Sequence, residues 1–352
     1  MGAGPFDAQS GFAGPKGRVS LGANAKQGPM RVFRHHTELP ENARGAVVAI
    51  GNFDGVHLGH QAIIDAARAI ARAASAPLAV VTFEPHPRSF FAPQSPPFRL
   101  TPFRIKARLV ESLGVDLLFV LTFDERLSHL SPDQFCADVL TAGLGIRHAV
   151  VGANFVFGHR RAGDATMFRA LGAKLGFGVT CLERVAGPES EIYSSTRIRE
   201  HLVAAAPRRA ARLLGRDWEI EGRVQPGAKR GRDLGYPTAN LALDEFLEPA
   251  RGIYAVRAGI DRGDTIHWHD GVANMGVRPM FDGGTPLLEA HLFDFAEDLY
   301  GKHLRVALVE YLRAEATFDT LETLVAQMGD DSRRARAILA RQRSPRPDTV
   351  RP

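Results

Sequence analysis

The stretch Ala46-Val47-Val48-Ala49-Ile50, followed without a break by Gly51-Asn52-Phe53-Asp54-Gly55-Val56-His57-Leu58-Gly59-His60, decides how the first half of this chain is read. A short apolar run bounded by glycine has the length of a buried strand. The glycines after it let the backbone turn tightly and approach a ligand closely. His57 and His60 are three apart, so on a helix that begins here they share one side of the first turn. A helix N-terminus carries unpaired N–H groups and a partial positive charge. Two imidazoles beside it make a pocket for phosphate groups. The plainer alternative is a strand-to-helix turn with two exposed histidines.

Outward from this stretch the same rhythm repeats to about Leu182. Leu78–Phe83, Val115–Leu121 and His148–Val151 have strand character. Gln61–Ala74, Pro102–Leu113, Pro132–Leu140 and Ala165–Leu175 read as helices. Strand and helix in alternation predict an α/β domain, a parallel sheet covered by helices, whose ligands bind at the carboxyl ends of the strands. A helical patch over Thr196–Leu214, interrupted by Pro207, reads as the connection to a second domain. From Trp218 the pattern changes to short alternating runs: Glu219–Val224, Ile253–Gly259, His267–Met275, Leu287–Phe295 and Leu304–Leu312. Separated by Gly, Pro and Asp, they predict a small antiparallel barrel or sandwich. An amphipathic helix or two, over Leu321–Met328 and Ser332–Arg341, closes the pattern. The expected organisation is a disordered leader or extension over 1–30, domains over 31–203 and 217–342, a linker over 204–216, and a disordered tail over 343–352.

Composition agrees with two globular domains. The 352 residues are 45% hydrophobic and 24% charged, an ordinary balance for folded proteins. Two cysteines, Cys136 and Cys181, form no Cys-x-x-Cys pair, which argues against a disulfide framework or a cysteine zinc site. No apolar run reaches membrane-spanning length, so the expectation is a cytoplasmic protein with no membrane partner. The formal charge of +5 suits anionic partners. The basic runs Arg208–Arg216 and Arg333–Arg346 read as a solvated helix face and a tail. Basic residues are not interleaved with aromatics in a stripe, so no nucleic-acid partner is expected. The first thirty residues lack a secretory apolar segment, and patterned sequence begins at Arg31, directly after Met30, where a functional start is expected.

The run Gly51–His60 resembles the nucleotide-binding signature of the nucleotidylyltransferase superfamily, with His57-Leu58-Gly59-His60 as its His-x-Gly-His element. With Asn52-Phe53-Asp54-Gly55 in front, it resembles the bacterial bifunctional riboflavin kinase/FAD synthetase family. Three further segments are similar to that family's, in order: Thr82-Phe83-Glu84-Pro85-His86-Pro87, Val151–Gly158 with Gly163 after it, and Ser194-Ser195-Thr196-Arg197-Ile198-Arg199. The resemblance covers roughly residues 31 to 340. It implies a Rossmann-like N-terminal domain that adenylylates FMN to FAD, with small-molecule substrates throughout. ATP would meet Gly51, Asn52, Phe53, Asp54, Gly55, His57, Gly59, His60, Ser194, Ser195, Thr196 and Arg199. His57, His60 and Arg199 would act on the triphosphate. FMN would meet Glu84, Pro85, His86, Asn154, Phe155 and Phe157. No protein nucleophile is needed, so positioning and cations carry such a reaction. Ser194–Arg199 also has the form of a helix N-cap with its first turn. The family usually has Asp where Asn154 stands and often Arg where Val156 stands.

No Gly-x-x-x-x-Gly-Lys-Ser/Thr loop is present, which excludes an ordinary P-loop kinase. Instead Gly231-Arg232-Asp233-Leu234-Gly235-Tyr236-Pro237-Thr238-Ala239-Asn240 resembles the phosphate and magnesium loop of riboflavin kinases. The resemblance implies that Gly231, Arg232, Gly235, Pro237, Thr238 and Asn240 meet ATP, and that Thr238 and Asn240 hold Mg²⁺. Two apart on extended chain, Thr238 and Asn240 point the same way, and both offer oxygen to a hard cation. Glu289 matches the family's catalytic Glu and would be the base for the ribityl 5′-hydroxyl. Asn274, Arg278 and Glu289 would meet riboflavin. The chain has Gln225-Pro226-Gly227 where the family often has His-Gly, and Pro279-Met280 where it often has Pro-Thr. Two alternatives stay open: an adenylyltransferase with a non-catalytic flavin-binding barrel, and a tRNA-related nucleotidyl enzyme.

Overall fold

A computed structural model describes residues 28–183, 187, 191–226, 235–263, 265–277 and 286–342. Most of the expected leader, the whole tail, and Gly231, Arg232, Arg278 and Met280 lie outside the described residues.

The first sheet has six strands: β1 (Arg31–Phe33), β2 (Val47–Ile50), β3 (Leu78–Glu84), β4 (Leu117–Thr122), β5 (His148–Gly152) and β6 (Gly178–Leu182). Their order is β1-β4-β3-β2-β5-β6, and every pairing is parallel. The chain leaves β2 toward β3 on one side and later returns to β5 on the other. The crevice between the carboxyl ends of β2 and β5 is thus the switch point at which such sheets bind ligands. The edge strands β1 and β6 are additions to the sequence-based expectation. Three residues are too few to show alternation, and β6 is half-buried along its whole length.

The helices of this half are α1 (Leu58–Ala73), α2 (Pro87–Phe91), α3 (Phe103–Ser112), α4 (Glu125–His129), α5 (Pro132–Gln134, running on as a π-helix through Phe135–Gly143) and α6 (Ala165–Leu175), and α7 (Ser195–Val203) and α8 (Pro207–Leu214) follow at the junction with the barrel. Ile64 and Ala67 of α1 and Val110 of α3 pack on one face of the sheet. Cys136 and Leu140 of the π-helical stretch and Phe168 of α6 pack on the other. The expected single connection is two helices, split at Pro207, which takes the first helical position of α8 where its missing N–H costs nothing.

The second sheet contains β7 (Trp218–Arg223), β8 (Ala239–Ala242), β9 (Gly252–Asp261), β10 (Ile266–Val277), β11 (Pro286–Leu292) and β12 (His303–Arg313). Its order is β7-β12-β9-β10-β11-β8. An antiparallel bridge between Gln225 and Asn240 joins the two ends, with Gln225 N donating to Asn240 O at 2.9 Å. The strands therefore form a nearly closed antiparallel barrel, as expected. One helix, α9 (Leu321–Arg341), follows and spans both of the amphipathic stretches. Between those stretches lies Asp331, which is buried and paired with Arg313 at 2.7 Å. That charge is a docking point of a continuous helix on the barrel.

The two halves share a core. Leu100, Ile198, Leu202 and Leu214 are in the same buried cluster as Trp218, Tyr254 and Leu288 of the barrel. Trp218 Nε1 donates to Leu100 O at 2.8 Å. Arg99 N donates to Glu245 O at 3.1 Å, and Leu247 N to Arg99 O at 2.9 Å. The segment 98–101 thus touches the barrel on one side. On its other side, Leu100 N and Thr101 N bond the Asp54 carboxylate of the nucleotide loop.

Candidate active sites

The first site grows from the loop between β2 and α1. Asp54 is buried, and its carboxylate accepts from Leu100 N and Thr101 N, each at 2.9 Å. It also pairs with Arg199 of α7. Arg199 Nε donates to Phe98 O at 2.8 Å. Ser194 caps α7, and Ser195 Oγ donates to Asp54 O at 2.7 Å. The Gly51–His60 and Ser194–Arg199 segments, far apart in sequence, are therefore one constellation. Asp54 holds Arg199 and also stands on the wall of the cleft over this loop.

His57 caps α1: its Nδ1 accepts from His60 N at 3.2 Å, leaving Nε2 as the proton-bearing nitrogen. The two rings stack with centroids 3.6 Å apart. A side chain at Gly59 would lie 3.2 Å from the His57 ring and 3.1 Å from Tyr193 Cβ, so glycine lets the imidazole fold down. Burial lowers His57 to about 4, opposed by Asp54 and assisted by Arg216 and Arg199. Burial also lowers His60, helped by His57 and Lys106. Both are neutral at pH 7 and act as hydrogen-bonding groups, not cations. His60 Nδ1 is buried with no partner among the described residues.

A cleft of about 1500 Å³ opens over this loop. Its wall includes His86, Asn154, Phe155 and Phe157 from the expected flavin side, but neither Glu84 nor Pro85. Glu84 accepts from Arg99 Nη2 at 2.7 Å and Lys106 Nζ at 2.8 Å. Burial alone would raise its carboxyl, but the bond from Arg99 and the charge of Lys106 outweigh that and lower it. Glu84 is thus spent on internal pairing. Burial lowers His86 to about 4. Phe91, Phe123, Arg88, Arg160, Arg161 and Arg209 also stand on the cleft wall, and sequence reasoning misses them. The Arg160-Arg161 pair inside the Val151–Gly163 segment, and the exposed Phe91 beside Phe90, are the available signals.

The second site lies across three barrel strands. Register places Glu289 of β11 directly opposite Asn240 of β8 on one side and Asn274 of β10 on the other. Residues directly opposite share a face, so the three form a row. Asn240 is buried, and Glu289 and Asn274 are half-buried. Asn240 Oδ1 and Asn274 Oδ1 have no partner among the described residues. His291, two residues along from Glu289, has Nδ1 2.9 Å from Pro237 O and its ring 5.0 Å from Tyr236. This ties β11 to the segment that carries Thr238. Among the described residues no group of three or more His, Cys, Asp or Glu could hold a metal by itself.

Fold and sites together define a protein with a nucleotidylyltransferase-type α/β domain fused to a barrel with its own polar site. Residues 39–197 match the family model described as FAD synthetase, and residues 214–339 the one described as riboflavin kinase. The bifunctional riboflavin kinase/FMN adenylyltransferase of Pseudomonas fluorescens is 44% identical over 306 residues, covering 87% of this chain and 96% of the relative. The protein of the same description from Escherichia coli K12 is 38% identical over 307 residues, with the same coverage. A solved structure described as a macrolide-efflux protein from Streptococcus pneumoniae superposes with a TM-score of 0.76 at 28% identity. It covers 87% of this chain and 98% of that one. Among the described residues no helix is long and apolar enough to cross a membrane. The chain belongs to the bifunctional riboflavin kinase/FMN adenylyltransferase family.

Proposed function

We propose that the barrel phosphorylates riboflavin to FMN with ATP, and that the α/β domain joins FMN to the AMP moiety of a second ATP, giving FAD and pyrophosphate. The observation that supports two steps is that each half assembles its own site from residues far apart in sequence. Loss of the kinase would leave no reason to keep Asn240, Glu289 and Asn274 in one row.

In the barrel, Glu289 takes the proton of the ribityl 5′-hydroxyl as that oxygen attacks the γ-phosphorus, and ADP leaves. Asn240 Oδ1, two residues from Thr238, is a buried oxygen with no partner among the described residues, which fits a hard cation. Thr238 and Asn240 would hold Mg²⁺ together with ATP phosphates and water. The ion would neutralise developing phosphate charge.

In the α/β domain, a phosphate oxygen of FMN attacks the α-phosphorus of ATP, and the bond to the β-phosphate breaks. His57, His60 and the N-terminus of α1 orient the triphosphate by hydrogen bonds. Arg199, fixed by Asp54, meets charge as it develops on the leaving pyrophosphate. Phe155, Phe157 and His86 stand on the flavin side.

The test is a product assay with ATP and Mg²⁺, started separately from riboflavin and from FMN, with flavins separated by chromatography. FMN and FAD from riboflavin, and FAD from added FMN, are expected. FAD from added FMN alone would make the barrel a non-kinase module. No flavin turnover would remove the reading altogether.

A further inference from the structure

The loop that carries His57 leaves ordinary backbone at three of four consecutive residues. Phe53, Gly55 and Val56 have φ of 50°, 90° and 44°. For a β-branched residue such as Val56 this region is disfavoured. Such backbone persists only where its surroundings over-determine it.

One side of the loop is held by the segment 98–101. Besides the bonds to Asp54, Gly55 N donates to Thr101 Oγ1 at 2.8 Å. The other side is held from the junction between the two halves. Arg216 Nη2 donates to Gly55 O at 2.8 Å, and Nη1 reaches Val56 O at 3.5 Å and Leu214 O at 3.4 Å. Gln61 Nε2 donates to Val56 O and Leu214 O at 3.0 and 3.2 Å. Gly55 lies between Leu100 and Leu214: a Cβ there would be 3.0 and 3.5 Å from their side chains. Arg216 directly follows Gly215, which ends α8 with a left-handed φ of 75°. In the sequence alone it reads as part of a solvated basic run.

We propose that Arg216 is a positioning residue of the adenylyl-transfer site, clamping the Gly55 and Val56 carbonyls so that His57 and the N-terminus of α1 meet the triphosphate in register. The assignment rests on the reading of that site as an FMN adenylyltransferase. Burial lowers the Arg216 guanidinium to about 10, opposed by Glu219 and assisted by Arg108 and Arg305. A cation kept in so unfavourable a place is explained by its forked donors. Two carbonyls of a left-handed turn need that fork, and a lysine has none. The site in the first half thus draws part of its geometry from the junction with the barrel.

The experiment compares full-length wild type, Arg216→Lys and Arg216→Met. FMN adenylylation is measured with ATP and FMN varied separately, and riboflavin phosphorylation and the urea unfolding midpoint are measured on the same samples. In Arg216→Met the FMN adenylylation rate is expected to fall roughly 10–100-fold, the range that a small misplacement of reacting groups costs. KM for ATP should rise, KM for FMN and the phosphorylation rate should stay unchanged, and Arg216→Lys should recover part of the loss. Unchanged adenylylation in Arg216→Met overturns the proposal. So does a parallel fall of both activities that follows the unfolding midpoint, which would make Arg216 a general structural residue. Wild type that fails to adenylylate FMN removes the functional reading itself, and is seen before any variant is compared.

Discussion

The two sites satisfy their own polarity to different degrees. In the α/β half the carboxylates are consumed internally: Asp54 by Arg199 and two backbone N–H groups, Glu84 by Arg99 and Lys106. The cleft wall carries arginines, neutral imidazoles and a helix N-terminus, with Asp54 and Glu191 held in ion pairs beside them. The barrel row does the reverse, leaving Asn240 Oδ1 and Asn274 Oδ1 buried without partners among the described residues. A buried acceptor left unmet costs about 1–3 kcal/mol. The first site therefore has its charged groups paired before a ligand arrives and keeps one open imidazole nitrogen, His60 Nδ1, while the barrel row leaves two amide oxygens open. Fixed donors suit charge that develops on a leaving group. Open acceptors suit a cation and a hydroxyl brought in with the substrates.

The largest effects should separate the sites cleanly. Glu289→Gln keeps shape but removes the proposed base, so riboflavin phosphorylation should fall by about 10²–10⁴. FAD formation from added FMN should persist. His60→Ala should lower FMN adenylylation by about 10²–10³, the scale of losing one fixed donor, and leave phosphorylation intact. Rates from both starting flavins on both variants make the measurement. Either variant losing both activities would break the comparison.

Stability should respond with opposite signs. Asp54→Leu leaves Arg199 without its buried partner and should cost about 3–5 kcal/mol. Asn240→Leu removes an unmet acceptor at similar volume. It should hold the unfolding midpoint or raise stability by about 1 kcal/mol, while phosphorylation falls by at least the roughly 10–100-fold that changes around metal ligands cost. Urea titrations of both variants beside wild type decide this. Destabilisation by Asn240→Leu would show that the carboxamide is already satisfied and that the barrel site is as preset as the other.

What is legible in the sequence divides along the same line. The Gly51–His60 and Ser194–Arg199 runs can be read because local spacing carries their chemistry, and the fold brings them together through Asp54 and Ser195. Glu289, Asn240 and Asn274 are each identifiable by motif, but their row depends on strand register, which local pattern does not contain. Glu84 is expected on the flavin side because its segment is. Its partners Arg99 and Lys106 are 15 and 22 residues away, and nothing local announces the pairing. Arg216 is the costliest miss: on charge alone it belongs to a solvated run, and only the three-dimensional approach of Gly55 gives it a task.

The smallest expected effect is a pH dependence concentrated in the first half. Burial chiefly holds His57 and His86 down to about 4, with Asp54 opposing in both, against an ordinary value near 6.5 in the unfolded chain. Between those values the unfolded state binds protons that the native state refuses, so stability falls as pH drops through this window and is fully present above it. At pH 5 each ring should have withdrawn roughly 1–2 kcal/mol relative to pH 7. His60 shifts in the same direction. Unfolding midpoints at pH 7 and pH 5 for wild type and His57→Gln measure it, and the variant should lose less on acidification. Saturating ATP should reduce the loss in wild type, because phosphates beside the imidazoles favour their protonated forms. An identical acid response in wild type and variant would mean that His57 is already solvated in the free protein. The first site would then be no more preset than the barrel's.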